Sequence, residues 1–251
     1  MGSIIIKDEE EIEKMRAAGK IAAEVLEKLR QEVRAGITTM ELNKMGEELI
    51  RQKKAEPVFL GYRGYRYATC ISVNEEVVHG IPSERRLKEG DLVSVDVGVR
   101  YDGYCGDTAA TFAVGTISKK AQKLLRVGKE ALRAGIRQAR AGNHLGDISY
   151  AIQRVAEENG FSVVRDLYGH GLGRDLHEDP LVPNFGKPGE GPELKAGMVL
   201  AIEPMVNIGS WRVRTLPDGW TVVTEDGSLS CHFEHAVLIT QKDPEILTSL
   251  N

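Results

Sequence analysis

Four carboxylates stand in or beside apolar, strand-like runs that contain no lysine or arginine, and any fold of this chain must bring positive charge to them. Asp96 interrupts LVSVDVGV (92–99), Asp107 opens DTAATFAV (107–114), Glu203 closes MVLAIE (198–203) and Glu234 sits within HFEHAVLI (232–239). A buried carboxylate without a partner is very costly, so something cationic has to compensate each one. His170 lies in GHGLG (169–173), where flanking glycines leave the ring accessible and let backbone approach closely. Four acids and one imidazole converging on a dry site form a divalent-metal signature, because carboxylate oxygens suit hard cations and imidazole adds borderline character.

Alternation along 92–99 puts Ser94, Asp96 and Gly98 on one face and Val93, Val95, Val97 and Val99 on the other. Asp102 and Gly103 then signal a hairpin turn, which returns the chain so that Asp107 approaches Asp96 across the strand pair. Two carboxylates side by side repel, and one takes up a proton unless a cation sits between them. Taken singly, each residue has a plainer reading. The aspartates could end strands at the surface, and His170 could be a packing or turn residue. Glu203 and Glu234 carry more weight, because glutamate is depleted in strands and almost never buried unpaired.

The remaining pattern is mixed. Ile12, Met15, Ile21, Val25 and Leu29 recur at helical spacing over 9–32, and Gly36 supplies a stop. Thr38 and Glu41 have capping-box spacing ahead of Leu42, Met45, Leu49 and Ile50. A second pair of helices is expected over 124–140 and around Ile148, Ile152 and Val155. The two blocks overlay weakly: Arg34, Ala35 and Gly36 match Arg140, Ala141 and Gly142, and Gly19 and Lys20 match Gly128 and Lys129. Strands are expected over 68–79, 91–100, 107–114, 161–168, 197–208 and 230–240. Helix pairs interspersed with hairpins favour an α+β fold with a mostly antiparallel sheet. The expected organisation is a single domain over 1–251, built from two similar halves, about 10–115 and 120–240, that share one sheet.

A formal net charge of -4 leaves no basic footprint for nucleic acid. The start, MGSIIIKDEEEIEKM, has neither a secretory apolar region nor a basic lead-in, and no apolar run approaches a membrane span. Cys70, Cys105 and Cys231 are odd in number and unclustered, which suggests a reducing cytoplasm and no zinc module. Cys105 and Cys231 read as small packed residues.

With these residues in place, the chain resembles the type I methionine aminopeptidases, which share the pita-bread metallopeptidase fold. The likeness runs through IEKMRAAGKIAAEVL (12–26), GYRGY (61–65), CISVNEEVVHGIP (70–82), VSVDVG (93–98), GYCGDTAATF (103–112), GHGLGRDLHEDP (169–180), GMVLAIEPM (197–205) and DGWTVVTEDGSLSCHFEHAVLIT (218–240). The resemblance implies a pseudo-twofold α+β fold with a mostly antiparallel sheet flanked by two helix pairs. It also implies two divalent ions per chain, Co, Mn, Fe(II) or Zn. Asp96 would chelate one, Asp107 and Glu234 would bridge both, and His170 with Glu203 would complete the other. Two such ions can share a water or hydroxide and acidify it toward neutrality for attack on the scissile carbonyl. Glu203 would also shuttle the proton, and His79 and His177 would hold the scissile amide and its oxyanion.

The same resemblance implies a methionine pocket of Phe59, Tyr62, Tyr65, Cys70, Leu176 and Trp220, with His79 and His177 beside it. Without it, Tyr62, Tyr65 and Trp220 read as core or interface residues. Some family members carry cysteine at the position of Phe59 and an aromatic at that of Leu176, which bears on fine specificity. The implied activity is removal of the initiator methionine from nascent chains with a small second residue. This chain's own Met1 and Gly2 would fit that rule.

Alternatives are an X-Pro peptidase of the same fold, for whose extra N-terminal domain Met1 to Glu11 leaves no room, or a non-catalytic pita-bread binding module. Such modules lose ligands and gain basic tails, whereas this chain keeps the acids. A cytoplasmic monomer is expected, with no membrane or specific nucleic-acid partner. A ribosome docking surface is expected on 209–218, with Trp211, Arg212 and Arg214.

Overall fold

The computed structural model describes residues 3–250, so the expectation for Met1 and Gly2 lies outside the described residues. Helix α1 spans Glu9–Glu32 and begins with a capping box between Asp8 and Glu11. Helix α2, Thr39–Gln52, starts from the expected box of Thr38 and Glu41. Helices α3, Lys119–Gln138, and α4, Leu145–Glu158, form the second pair. α3 begins ahead of Leu124 because the Ser118 hydroxyl accepts the Ala121 N–H, while Lys119 and Lys120 show no apolar period.

Strands Leu92–Tyr101 and Tyr104–Ala113 form a long antiparallel hairpin across Asp102 and Gly103. Both turn residues have positive φ, 48° and 79°, as a tight two-residue turn requires. Val93, Val95, Val97 and Val99 bury their side chains in one cluster with α1 and α2 residues such as Ala18, Val25, Leu42 and Ile50. That leaves the face of Asp96 for the interior of the molecule. At Gly106 a Cβ would lie 2.5 Å from the Ala18 carbonyl carbon, so glycine lets α1 sit directly on this strand. In the second pair the glycine is on the helix: a Cβ on Gly128 of α3 would meet the Cys231 and Phe233 side chains.

The second helix pair packs Leu124, Val127, Ile148 and Ile152 against Leu200, Ile202, Val206 and Val237. Here strand Val199–Ile202 pairs with His235–Leu238 and Tyr168–Gly171, and Met205–Asn207 pairs with Ser230–His232. The sheet is not continuous as expected but is divided into several ladders. Two of these ladders part at one level. The partners Met205↔His232 and Ile202↔His235 keep a single register, so Glu203 faces Glu234 across the gap between them. Pro204 has no N–H for the ladder and Glu234 turns its N–H and carbonyl to Ala109 and Thr108, so regular pairing lapses to a single 3.4 Å bond from the Phe233 N–H to the Pro204 carbonyl.

The expected strand 161–168 is confined to Ser162–Val163, with a separate strand at Tyr168–Gly171. Strand Glu178–Pro183 was hidden by its charges and prolines. Part of the expected loop 209–218 is strand Val213–Thr215, which pairs with Val222–Thr224. That strand in turn pairs Val222 with Val78, so Trp220 comes close to His79. No helix among the described residues is long and apolar enough to cross a membrane.

Candidate metal centre

The two half-sites meet along strand Tyr104–Ala113. The Glu234 N–H donates to the Ala109 carbonyl at 2.9 Å, and the Thr108 hydroxyl donates to the Glu234 carbonyl at 2.9 Å. Farther along, Thr111 Oγ1 donates to the His232 carbonyl and accepts the His232 N–H, both at 2.9 Å. On this strand Asp107 pairs with Gly98 and Ala109 with Asp96, so the aspartates are diagonal neighbours on one face. Gly98 makes room on that face for the Phe59 ring, which a Cβ there would meet at 2.5 Å.

One ligand atom each from Asp107, His170 and Glu234 lies within 4.8 Å of the others. His170 Nε2 is 3.6 Å from Glu203 Oε1 and 3.9 Å from Asp107 Oδ2, too long for hydrogen bonds. Its Nδ1 lies 2.9 Å from the Gly171 carbonyl, which can only accept. Nδ1 therefore carries an N–H that donates to it, and Nε2 is turned toward the acids, the orientation in which metal-binding histidines are generally held.

Electrostatics separate the acids. Burial, helped by Glu203, pushes the Asp96 carboxyl up to about 7, against the pull of His232. Burial and then Asp96 and Glu203 raise Asp107; burial and then Asp107, Glu203 and Asp96 raise Glu234. Burial also works to raise Glu203, but His232, His170 and His79 outweigh it and hold Glu203 below its ordinary value. His232, which the sequence reading passed over, is therefore the nearest partner of Glu203 in this set. Its Nε2 lies 3.3 Å from Glu203 Oε2, and Glu203 with Asp96 raises its pKa although burial opposes this. A signal was present, because His232 and Glu234 differ by two positions and share one face of an extended segment.

All the acids and histidines predicted from the sequence, with Phe59, Tyr62, Tyr65, Cys70, Leu176 and Trp220, line one cavity of about 150 Å³. Arg63 joins them unforeseen, its guanidinium 5.3 Å from the Tyr62 ring centre. Tyr65 packs edge-on against Trp220, and its hydroxyl lies 3.0 Å from the Gly80 carbonyl. The neighbouring His79 is held at φ 58°, a left-handed conformation that costs roughly 1 kcal/mol or more for such a residue. His177 stands at the mouth with its ring 5.2 Å from Tyr62 and 4.1 Å from His170, and packing followed by the charge of His170 lowers its pKa. Burial likewise lowers His79. Both rings are neutral near pH 7 and can donate an N–H.

The acids fit a divalent cation. Asp96 Oδ1 and Asp107 Oδ1 are sealed from solvent and accept no hydrogen bond, an arrangement that needs a cation or proton to offset it. A larger groove of about 470 Å³ between α1 and α3 has a mainly aliphatic and aromatic lining, including Leu26, Phe112, Leu132 and Phe233, so volume alone does not locate the chemistry.

The model of metallopeptidase family M24 matches residues 13–241. A methionine aminopeptidase of Clostridium perfringens is 57% identical over 98% of this chain and 98% of its own. Methionine aminopeptidase 1 of Bacillus subtilis is 51% identical over 98% of this chain and 99% of its own. The crystal structure of methionine aminopeptidase from Thermotoga maritima superposes with a TM-score of 0.97 at 50% identity, covering 98% of this chain and all of that one. Prolidase from Pyrococcus furiosus superposes at 0.80 with 25% identity, and the match covers 98% of this chain but 66% of the prolidase.

Proposed function

The chain belongs to metallopeptidase family M24, and on that footing we propose how its cavity carries out the reaction. It is a metal-dependent aminopeptidase that removes N-terminal methionine. The observation that carries the mechanism is the facing pair Glu203 and Glu234, joined to Asp96, Asp107 and His170 beside an aromatic pocket.

Two divalent ions would be held by Asp96, Asp107, His170, Glu203 and Glu234. When bound, they supply Lewis acidity at the scissile carbonyl and make water acidic enough to attack near neutral pH. Glu203 stays ionised beside His232, so it can take the proton of the attacking water and deliver it to the departing amine. His79 and His177, as neutral donors, orient the amide and stabilise the oxyanion. Phe59, Tyr62, Tyr65, Cys70, Leu176 and Trp220 form a snug cavity whose aromatic rings and thiol suit a thioether.

The substrates we propose are nascent chains with a small second residue, met in the cytoplasm by a monomer of two similar halves, about 10–115 and 120–240. Ribosome association through Trp211, Arg212 and Arg214 is part of this proposal. The Trp211 ring lies against the guanidinium groups of Arg165 and Arg212. A peptide series Met-X-Met tests the specificity. Release is expected with Gly, Ala or Ser at X and a large drop with Leu or Phe; equal rates throughout would refute the small-residue rule.

A further inference from the structure

The segment ahead of α1 is tied to the cavity through a buried ion pair. Lys7 Nζ bonds Glu178 Oε2 at 2.6 Å, and the two side chains are only 3% and 6% exposed. Lys7 is fixed in turn, its N–H donating to the Gly197 carbonyl at 2.8 Å and its Nζ to the Ile5 carbonyl at 3.3 Å. Glu178 directly follows His177 and closes the turn that presents Leu176 and His177 to the cavity. Within that turn the Asp175 N–H points at Glu178 Oε1, and a Cβ on Gly173 would collide with the Glu178 carboxylate.

The outer side of the same turn rests on α1 and its partner strand. Arg174 lies 4.6 Å from the Tyr104 ring centre, the Tyr104 hydroxyl donates to Glu11, and the Cys105 N–H donates to the Gly173 carbonyl. A buried pair of this kind adds little net stability over an apolar pair of the same volume. Its particular consequence is geometric, because it joins the start of the chain to the residue next to His177.

We propose that Lys7 is a positioning residue for the reaction: through Glu178 it sets the placement of His177 over the cavity. The proposal rests on the role given to His177 above. A displacement of about 1 Å at a group acting on the transition state can cost on the order of 10²-fold.

The test is a double-mutant cycle on the metal-loaded enzyme, reading kcat and KM for Met-Gly-Met. Lys7→Met is expected to lower kcat/KM by roughly 10- to 100-fold, with metal binding by calorimetry unchanged, and Lys7→Arg is expected to recover most of the loss. In a His177→Ala background the same Lys7→Met change is expected to cost less than about 3-fold, because its effect passes through His177. Lys7→Met leaves Glu178 buried and unpaired, so Lys7→Met with Glu178→Gln serves as the folded control and is expected to show the same loss. An equal penalty in both His177 backgrounds, or full activity in the neutralised double variant, overturns the proposal. If His177→Ala itself retains full activity, the underlying reading fails and takes the proposal with it.

Discussion

Replacing Asp96 by asparagine should destroy activity and yet stabilise the metal-free protein, by an amount that grows with pH. Asp96 has an ordinary pKa of 3.8 and is pushed up to about 7 in the folded protein. A carboxyl with a raised folded pKa contributes its full stability below 3.8 and loses it progressively as pH rises through about 7. At about 1.4 kcal/mol per tenfold change in proton affinity, ionised Asp96 costs the metal-free fold at most about 4 kcal/mol above pH 7. Groups in a protein interior respond to charge more strongly than a dry medium would, so the effective cost is about 2 kcal/mol. Asparagine cannot ionise and escapes the cost.

The assay is thermal unfolding in chelator at pH 5 and pH 8. Part of the penalty is already present at pH 5, so the advantage of Asp96→Asn over wild type should widen by about 1–3 kcal/mol between the two. That corresponds to roughly 2–6 °C in Tm for a domain of this size. Saturating metal should reverse the order at pH 8, since it stabilises the wild type by mass action. A constant or shrinking difference from pH 5 to pH 8 in chelator would show that Asp96 carries no burial strain for a cation to relieve.

Two further outcomes follow from the site. His177→Ala should lower kcat by about 10²- to 10³-fold with little change in metal affinity, the usual consequence of losing one oxyanion donor; a purely KM effect would place His177 in substrate binding. His232→Ala should free the Glu203 carboxylate from its neighbour and raise the lower pH limit of kcat, because both the contact and the charge that hold Glu203 ionised are lost. His232→Gln, which keeps a donor, should recover kcat at neutral pH but not at the acid end, and an unchanged profile for His232→Ala would remove His232 from the mechanism.

The hairpin half of the site was legible in the sequence for local reasons. Strand alternation put Asp96 and Gly98 on one face, and the Asp102, Gly103 turn fixed the return of Asp107. The opposition of Glu203 and Glu234 was not legible, since it depends on a register between segments thirty residues apart and on the break at Pro204. The carboxylates revealed only that something had to compensate them. His79 and His177 raised no burial paradox, since a neutral imidazole tolerates partial burial, and only the family resemblance pointed to them. His232 was overlooked although it alternates with Glu234. Strand Glu178–Pro183 and its ion pair with Lys7 escaped because charge and proline argue against a strand, and nothing local couples residues so far apart.

The most direct test of the central claim is methionine release from Met-Gly-Met by protein stripped with chelator and refilled with Co, Mn, Fe(II) or Zn in turn. The stripped protein should be folded and inactive, and at least one refilled form should release methionine, with activity lost again on substitution of Asp107 or Glu234. Protein that stays folded but releases no methionine with any of these metals would contradict the claim that these acids form the metal centre of an aminopeptidase.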